Sequence, residues 1–303
     1  MKKKLNLLYP LICLLVAMIW GSGFPFQDMA GQVQPEPLDS FSFNGLRFLV
    51  AGFVLIPVIF IFEKKKSIPV SDYAPRVRST LIFAPIAGAI LALSATLQQL
   101  GIMATGESGK AGFITGFYLI IVPIASYIIF KQKPSIFVFF AIPISLIGLF
   151  LLSISKEFTV STGDLLVLAC AFGFASHIIL YDRATSKVLV IRFSCIQFLV
   201  AGILCLTLGF IFGNISLDLI AKTIIPILYC GIFSAGAAYT LQIIGQKGTP
   251  PALASLLFAT EGLFATIFEC LFEARLPENR QLLGCGLMLV AILLSQIPAR
   301  TKK

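Results

Sequence analysis

Phe48-Leu49-Val50-Ala51-Gly52 recurs 150 residues later as Phe198-Leu199-Val200-Ala201-Gly202, and each copy lies in a long apolar run. Phe48 to Phe62 and Phe193 to Gly213 carry no charged residue. Outward from this pair the repetition continues. Leu97, Gln98, Gly101 and Thr105 reappear 144 positions later as Leu241, Gln242, Gly245 and Thr249. Ala17, Ser22 and Asp28 match Ala171, Ser176 and Asp182, offset by 154. In so apolar a chain one match could be chance. Three in order, at similar offsets, predict a duplicated unit of five helices. Five is odd, so the second copy must enter the membrane from the opposite side, a plan that secondary transporters use with a solute site near the midplane.

Composition supports a membrane reading. Hydrophobic residues make up 58% of the 303 positions, charged ones only 12%, and mean hydropathy is +0.96. A soluble domain carries roughly a quarter of its residues as charges. Each crossing of a bilayer core about 30 Å thick needs about 20 apolar residues. The expected fold is therefore an all-α membrane protein of ten transmembrane helices in two inverted five-helix repeats, residues 1–155 and 156–303. The helices are expected near 7–27, 40–62, 79–102, 111–130, 135–155, 164–181, 192–213, 222–245, 251–273 and 279–298. The runs are too continuously apolar for outer-membrane strands, which alternate over about ten residues. The opening Lys2-Lys3-Lys4 resembles a secretory leader, but no A-x-A-like site follows, so it reads as an uncleaved first helix.

The net charge of +9 is not a nucleic-acid signal, because the basic residues sit at span ends with no aromatic-interleaved groove. With the N-terminus inside, 17 of the 23 basic residues fall on inner segments. Five fall outside (Lys110, Lys156, Lys222, Arg275 and Arg280) and Arg47 lies within a span. By the positive-inside rule both termini are expected in the cytoplasm, in a multi-pass cytoplasmic (inner) membrane protein. The seven cysteines lie in apolar stretches without metal-ligand spacing and read as buried thiols. No metal or cofactor is expected. Asn214-Ile215-Ser216 fits a glycosylation sequon without supporting context.

Polar groups inside the spans are costly without a partner or a wet cavity, so they are the candidate site. Arg47 lies in the second helix with Asn44 one turn earlier on the same face; its repeat counterpart is Gln197. Glu261 lies near the middle of the ninth helix, where a carboxylate must carry a proton or meet a cation. His177, the only histidine, sits in the sixth helix with Tyr181 one turn on, and histidine titrates where proton relays need it. Gln98 and Gln242 are related by the repeat. Four polar positions paired by the internal symmetry suggest a cavity lining, although interhelical hydrogen bonding stays open. Trp20 with Gly21-Ser22-Gly23 and Pro25 suggests an aromatic wall or gate on a breakable first helix. Tyr118 with Pro123 and Tyr239 with Gly231 and Gly236 mark candidate kinks in the fourth and eighth helices. For Arg47 and Glu261 a purely structural role is equally open, and for His177 a hydrogen bond to a neighbouring helix is the first reading. No Gly-rich nucleotide loop, nucleophile elbow or H-E-x-x-H stands in the chain, so ATP-driven or hydrolytic chemistry has no residues to rest on.

Met18-Ile19-Trp20-Gly21-Ser22-Gly23-Phe24, Arg47-Phe48, and Thr115-Gly116-Phe117-Tyr118 leading to Pro123 resemble the EamA-type branch of the drug/metabolite transporter superfamily. So do Gly163-Asp164-Leu165-Leu166, Tyr239-Thr240-Leu241-Gln242, and the segment from Glu261-Gly262 through Glu273 and Gly284, although a proline commonly stands where this chain has Gly262. The resemblance spans essentially the whole chain. It implies ten helices with helices 1–4 and 6–9 around a central cavity, and a permease, often an exporter, for amino acids or other small metabolites. The expected function is a secondary transporter working by alternating access, with a small-molecule substrate, the lipid bilayer and, as a coupling ion, the proton as partners; a homo-oligomer is a further option. An uncoupled facilitator, a permease subunit and a membrane-embedded enzyme are the alternatives. Small multidrug exchangers need a first-helix glutamate, which this chain lacks.

Overall fold

The structure, a computed structural model, describes residues 7–62, 70–105, 108–153 and 160–297. Every span among them is helical. In chain order they are Leu8–Gly31, Ser40–Phe62, Val70–Thr105, a fourth span made of Ser108–Thr115 and Tyr118–Phe130, then Ile136–Ser153, Thr162–Ala184 and Val190–Phe212. The eighth is built from Ile224–Tyr229, Cys230–Tyr239 and Thr240–Gln246, the ninth from Pro251–Phe258 and Glu261–Phe272, and the tenth is Asn279–Ser295. Among the described residues nine spans are long and apolar enough to cross a bilayer, and the tenth has 17 residues. At 1.5 Å per residue that is about 26 Å, close to the hydrocarbon thickness.

The boundaries differ from expectation where charge or proline misleads. The first helix runs on to Gly31 through Pro25 rather than breaking at Gly21–Gly23. The third starts at Val70, not 79, and its 36 residues begin with a polar stretch of more than two turns holding Asp72, Arg76 and Arg78. Apolar length marks the bilayer, but a helix continues past it wherever its backbone bonds can. Lys110, expected in a loop, lies in Ser108–Thr115 and is buried. Lys2, Lys3, Lys4, Lys64, Lys65, Lys66, Arg300, Lys302 and Lys303, much of the expected charge bias, lie outside the described residues, as do Lys156 of the expected outer set and Ile154, Ser155 and Pro298 at expected span ends.

Packing follows the repeat. The second span packs on the seventh, the fifth on the tenth, and the fourth on the ninth. The third meets the sixth and the eighth meets the first, while the third also meets the seventh and the eighth the second. Exchanging spans one to five for six to ten maps this set of contacts onto itself. The repeated pentapeptide lies at the centre of the second–seventh contact. A Cβ on Gly52 would stand 2.7 Å from Leu199 Cδ2, and one on Gly202 would stand 2.7 Å from Leu49 Cδ2 and 3.0 Å from Leu49 N. Thus Leu49 fits against the glycine of the other copy and Leu199 against the glycine of the first. Gly45 meets Leu206 and Gly209 meets Ser42, so one number rises as the other falls and the two helices run antiparallel. Phe48 and Phe198 stack alongside, with centroids 6.2 Å apart and planes at 10°. Without a hydrophobic drive between helices in lipid, such small-residue contacts hold the bundle together.

These close approaches make a stability prediction. Gly202→Ala forces a methyl into Leu49 and should cost about 1–3 kcal/mol as overpacking does. At Gly286 a methyl would meet nothing within 4 Å. Gly286→Ala should therefore be neutral or stabilising by about 0.5–1 kcal/mol, the helix preference of alanine over glycine. Thermal unfolding in one detergent, compared for the two variants, checks the contrast.

Candidate functional site

Two broken helices set up the centre of the molecule. The fourth span breaks at Gly116-Phe117 and the ninth at Ala259-Thr260, each after an eight-residue first segment. Both breaks tighten locally into i→i+3 bonding: Phe117 N donates to Ile114 O at 3.1 Å and Thr260 N to Leu257 O at 3.2 Å. Such a turn in mid-membrane redirects the chain without leaving backbone groups bare. Tyr118 and Glu261 are the first helical residues after their breaks and so occupy corresponding positions in the repeat. The Tyr118 hydroxyl donates to Glu261 Oε1 at 3.1 Å. Pro123 lies inside the helix Tyr118–Phe130, and the break in the span falls at Gly116-Phe117, ahead of it.

The eighth span departs from α geometry over ten residues, Cys230–Tyr239, which form a π-helix. Gly231 and Gly236 fall in this stretch, the region marked as kinked by the sequence. Its widened turns present Ser234, Ala235 and Tyr239 to the centre. π-helices often occur at functional positions. Trp20 Nε1 donates to Ser234 O at 3.0 Å, and the indole lies 4.9 Å from the Tyr239 ring and 5.4 Å from Phe258. His177 meets Tyr239 edge-on at 5.6 Å.

These elements enclose a small central cavity of about 50 Å³. Eight of the ten residues singled out from the sequence line it: Trp20, Arg47, Gln98, Tyr118, His177, Tyr239, Gln242 and Glu261. The other two do not. Asn44 is buried and donates from Nδ2 to Ala95 O at 3.1 Å. Gln197 stands behind the lining, with its Oε1 2.8 Å from the Tyr181 hydroxyl and 3.3 Å from His177 Nε2. Sequence reasoning missed Phe24, Gln27, Phe48, Thr115, Phe174, Ile178, Ser234 and Ala235. The repeat held a signal for two of them. Phe174 stands 154 positions after Trp20, and Tyr181 the same distance after Gln27. Gln27 Oε1 accepts from Arg47 Nη1 at 3.3 Å, just as the Tyr181–Gln197 contact joins the corresponding positions of the other half.

The electrostatics are unbalanced. Arg47 is 6% exposed, with its guanidinium 5.4 Å from the Phe43 ring and 5.0 Å from Phe48, and its buried Nε has no hydrogen-bond partner. Among the described residues no carboxylate pairs with it. Glu261, on the same cavity, is held by a neutral tyrosine and not by a cation. Gln98 Nε2 donates to Thr115 Oγ1 at 3.1 Å, while the buried Gln242 Oε1 is unpartnered. Among the described residues no group of three His, Cys, Asp or Glu is placed to hold a metal ion. Asn214, the residue of the sequon, is instead bonded across loops: its Oδ1 accepts from Asp39 N at 2.9 Å and its Nδ2 donates to Pro37 O at 2.9 Å.

A larger vestibule of about 1090 Å³ lies at the end of the molecule where the fourth span gives way to the fifth and the eighth to the ninth. Tyr9, Pro10, Lys133, Lys247 and Leu253 are among its walls.

Comparison with known proteins agrees with this architecture. A protein of known crystal structure superposes with a TM-score of 0.75, over 95% of this chain and 96% of the other, at 15% identity, a likeness that concerns the fold. A protein of Archaeoglobus fulgidus described as an uncharacterized transporter is 25% identical over 284 residues, covering 92% of this chain and 83% of the relative. The EamA-like transporter family matches residues 7–154 and again 161–296, one match per half. A multi-pass helical bundle with doubled sequence and doubled packing meets that match along nearly its whole length, and the chain belongs to the EamA-like transporter family.

Proposed function

We propose that this membrane transporter moves small metabolites such as amino acids out of the cell by alternating access, with residues 1–155 and 156–303 rocking about the central cavity. The observation that carries this reading is the lining itself. Both halves supply it at corresponding positions, and it holds a buried cation and a buried acid that do not pair with each other. Two uncompensated charges in a membrane interior are expensive unless a ligand or proton completes them. Arg47, supported by Gln27, receives an anionic group such as a carboxylate. Glu261 with Tyr118 holds a proton or a substrate amine. Trp20, Tyr239 and Phe174 form the wall against the apolar part, Gln98 and Gln242 bond its polar edge, His177 with Gln197 supports that wall, and Asn44 ties the second span to the third through Ala95 O. The chain acts as a transporter, not an enzyme, in the cytoplasmic membrane, with both termini in the cytoplasm and the proton as coupling ion; association into a homo-oligomer is compatible with this plan.

The orientation is testable with exposed positions. On a cysteine-free background, Gln34→Cys and Val160→Cys should react with an impermeant thiol reagent in intact cells, and Lys133→Cys and Ser186→Cys should not. All four positions are exposed in the structure. The reverse labelling pattern would invert the topology. The transport reading is tested by thermal shift of the purified protein against a metabolite panel, since a ligand of the folded state raises apparent stability. Stabilisation by a subset of amino acids is expected; no stabilisation by any compound that carries a carboxylate would remove the role given to Arg47.

A further inference from the structure

The two ends of the molecule differ, although the repeat places corresponding helices at both. At the end away from the vestibule, Lys110 Nζ lies 2.7 Å from Asp164 Oδ2, with the side chains only 7% and 5% exposed. Lys110 belongs to the first segment of the fourth span and Asp164 to the first turn of the sixth, so the pair ties the two halves of the repeat together. Asp164 Oδ2 also accepts from Ser161 N at 2.6 Å and Ser161 Oγ at 2.9 Å, which fixes it as part of the helix cap. Its other oxygen is buried with no partner.

The offset that pairs Tyr118 with Glu261 carries Lys110 to Leu253, and the offset that pairs Ala17 with Ala171 carries Asp164 back to Pro10. Leu253 and Pro10 cannot form an ion pair, and both line the vestibule of about 1090 Å³. Among the described residues, the charged pair draws the halves together at one end, and the mirrored apolar pair faces the vestibule at the other. This asymmetry rests on two neutral residues facing two charged ones at mirrored positions.

We propose that the Lys110–Asp164 ion pair is the latch of the closed end: it holds the fourth span to the sixth, and it parts when that end opens in the transport cycle. The inference rests on the alternating-access reading, and its test separates the two. Replacing both partners removes both charges of the pair together, so Lys110→Met/Asp164→Asn should fold, with asparagine retained as a cap acceptor. Spin labels at Gln34 and Thr162, exposed positions beyond the first span and at the start of the sixth, one in each half and both at the latched end, report opening between the two halves. Removing the pair should raise the ratio of long to short distances by roughly fivefold or more relative to the labelled chain that keeps it. Identical distributions with and without the pair would overturn the latch, whether or not any probe is transported.

A second variant keeps the proposal falsifiable if that one is unstable. Lys110→Cys/Asp164→Cys, on a background lacking the seven native cysteines, is bridged by a cleavable bifunctional thiol reagent. With leucine and phenylalanine as probes in proteoliposomes, bridging should reduce flux to background and reduction should restore it. Unchanged flux through the bridged protein would also overturn the latch. Absence of flux from the unmodified chain would instead count against the transporter reading, and the label distances would then decide the latch.

Discussion

In Glu261→Gln, accumulation driven by a pH gradient should disappear while exchange of substrate across the membrane persists. The glutamine keeps the shape of the side chain and an acceptor for the Tyr118 hydroxyl, which lies 3.1 Å from Oε1 in the native protein. What it loses is the capacity to carry a proton or a negative charge. A gradient of one pH unit is worth about 1.4 kcal/mol, so one proton per cycle supports up to about tenfold accumulation. The native chain should approach that limit and the variant should stop at equal concentrations on both sides. If Glu261 binds a substrate amine instead, the variant should bind weakly at every pH. Native binding together with a native pH response would leave Glu261 with only a packing role between the fourth and ninth spans.

Arg47→Gln should have the largest effect on binding. It places at this position the residue type that the repeat already has at Gln197, so the fold has accommodated that geometry once. Phe43 and Phe48, which flank the guanidinium, remain to pack the glutamine stem. A charge-assisted hydrogen bond contributes about 1.5–3 kcal/mol, so affinity for a substrate that bears a carboxylate should fall roughly 10- to 150-fold. The corresponding decarboxylated amine, having no group for Arg47, should bind the two proteins alike. Titration calorimetry with an amino acid and its amine makes the comparison. An equal loss for both ligands would mean that Arg47 shapes the cavity and does not receive a carboxylate.

Much of this architecture was legible because the bilayer leaves few choices. Apolar length marks the spans, and backbone groups in lipid must bond within them. The pentapeptide at 48–52 and 198–202 could be read as a duplication, yet the reason for its repetition appears only in three dimensions. Leu49 needs Gly202 and Leu199 needs Gly52, so each copy is the socket of the other. Intramembrane polarity pointed to Arg47, Gln98, Gln242 and Glu261 for a sound reason: such residues cost too much to face lipid. Phe174 and Ser234 were missed because an aromatic or a serine in a span costs little anywhere, so nothing in its type reveals its direction. The π-helix at Cys230–Tyr239 leaves no pattern beyond two glycines, since it depends on how the first and second spans pack on the eighth. Lys110 misled for the opposite reason. A lysine at a span end ordinarily reaches for water, but its partner, 54 positions away, draws it into a buried pair.

Counterflow tests the central claim most directly. Proteoliposomes containing only the purified chain are loaded with an unlabelled amino acid at high concentration and diluted into a trace of the labelled compound. A carrier whose one cavity faces the two sides in turn must bring labelled molecules in as unlabelled ones leave. The expected result is a transient overshoot of internal label above the external concentration, absent in liposomes without protein and lost in Arg47→Gln. A steady rise to equality without overshoot would indicate a pore, and no uptake of any amino acid that stabilises the protein would contradict alternating access around this cavity.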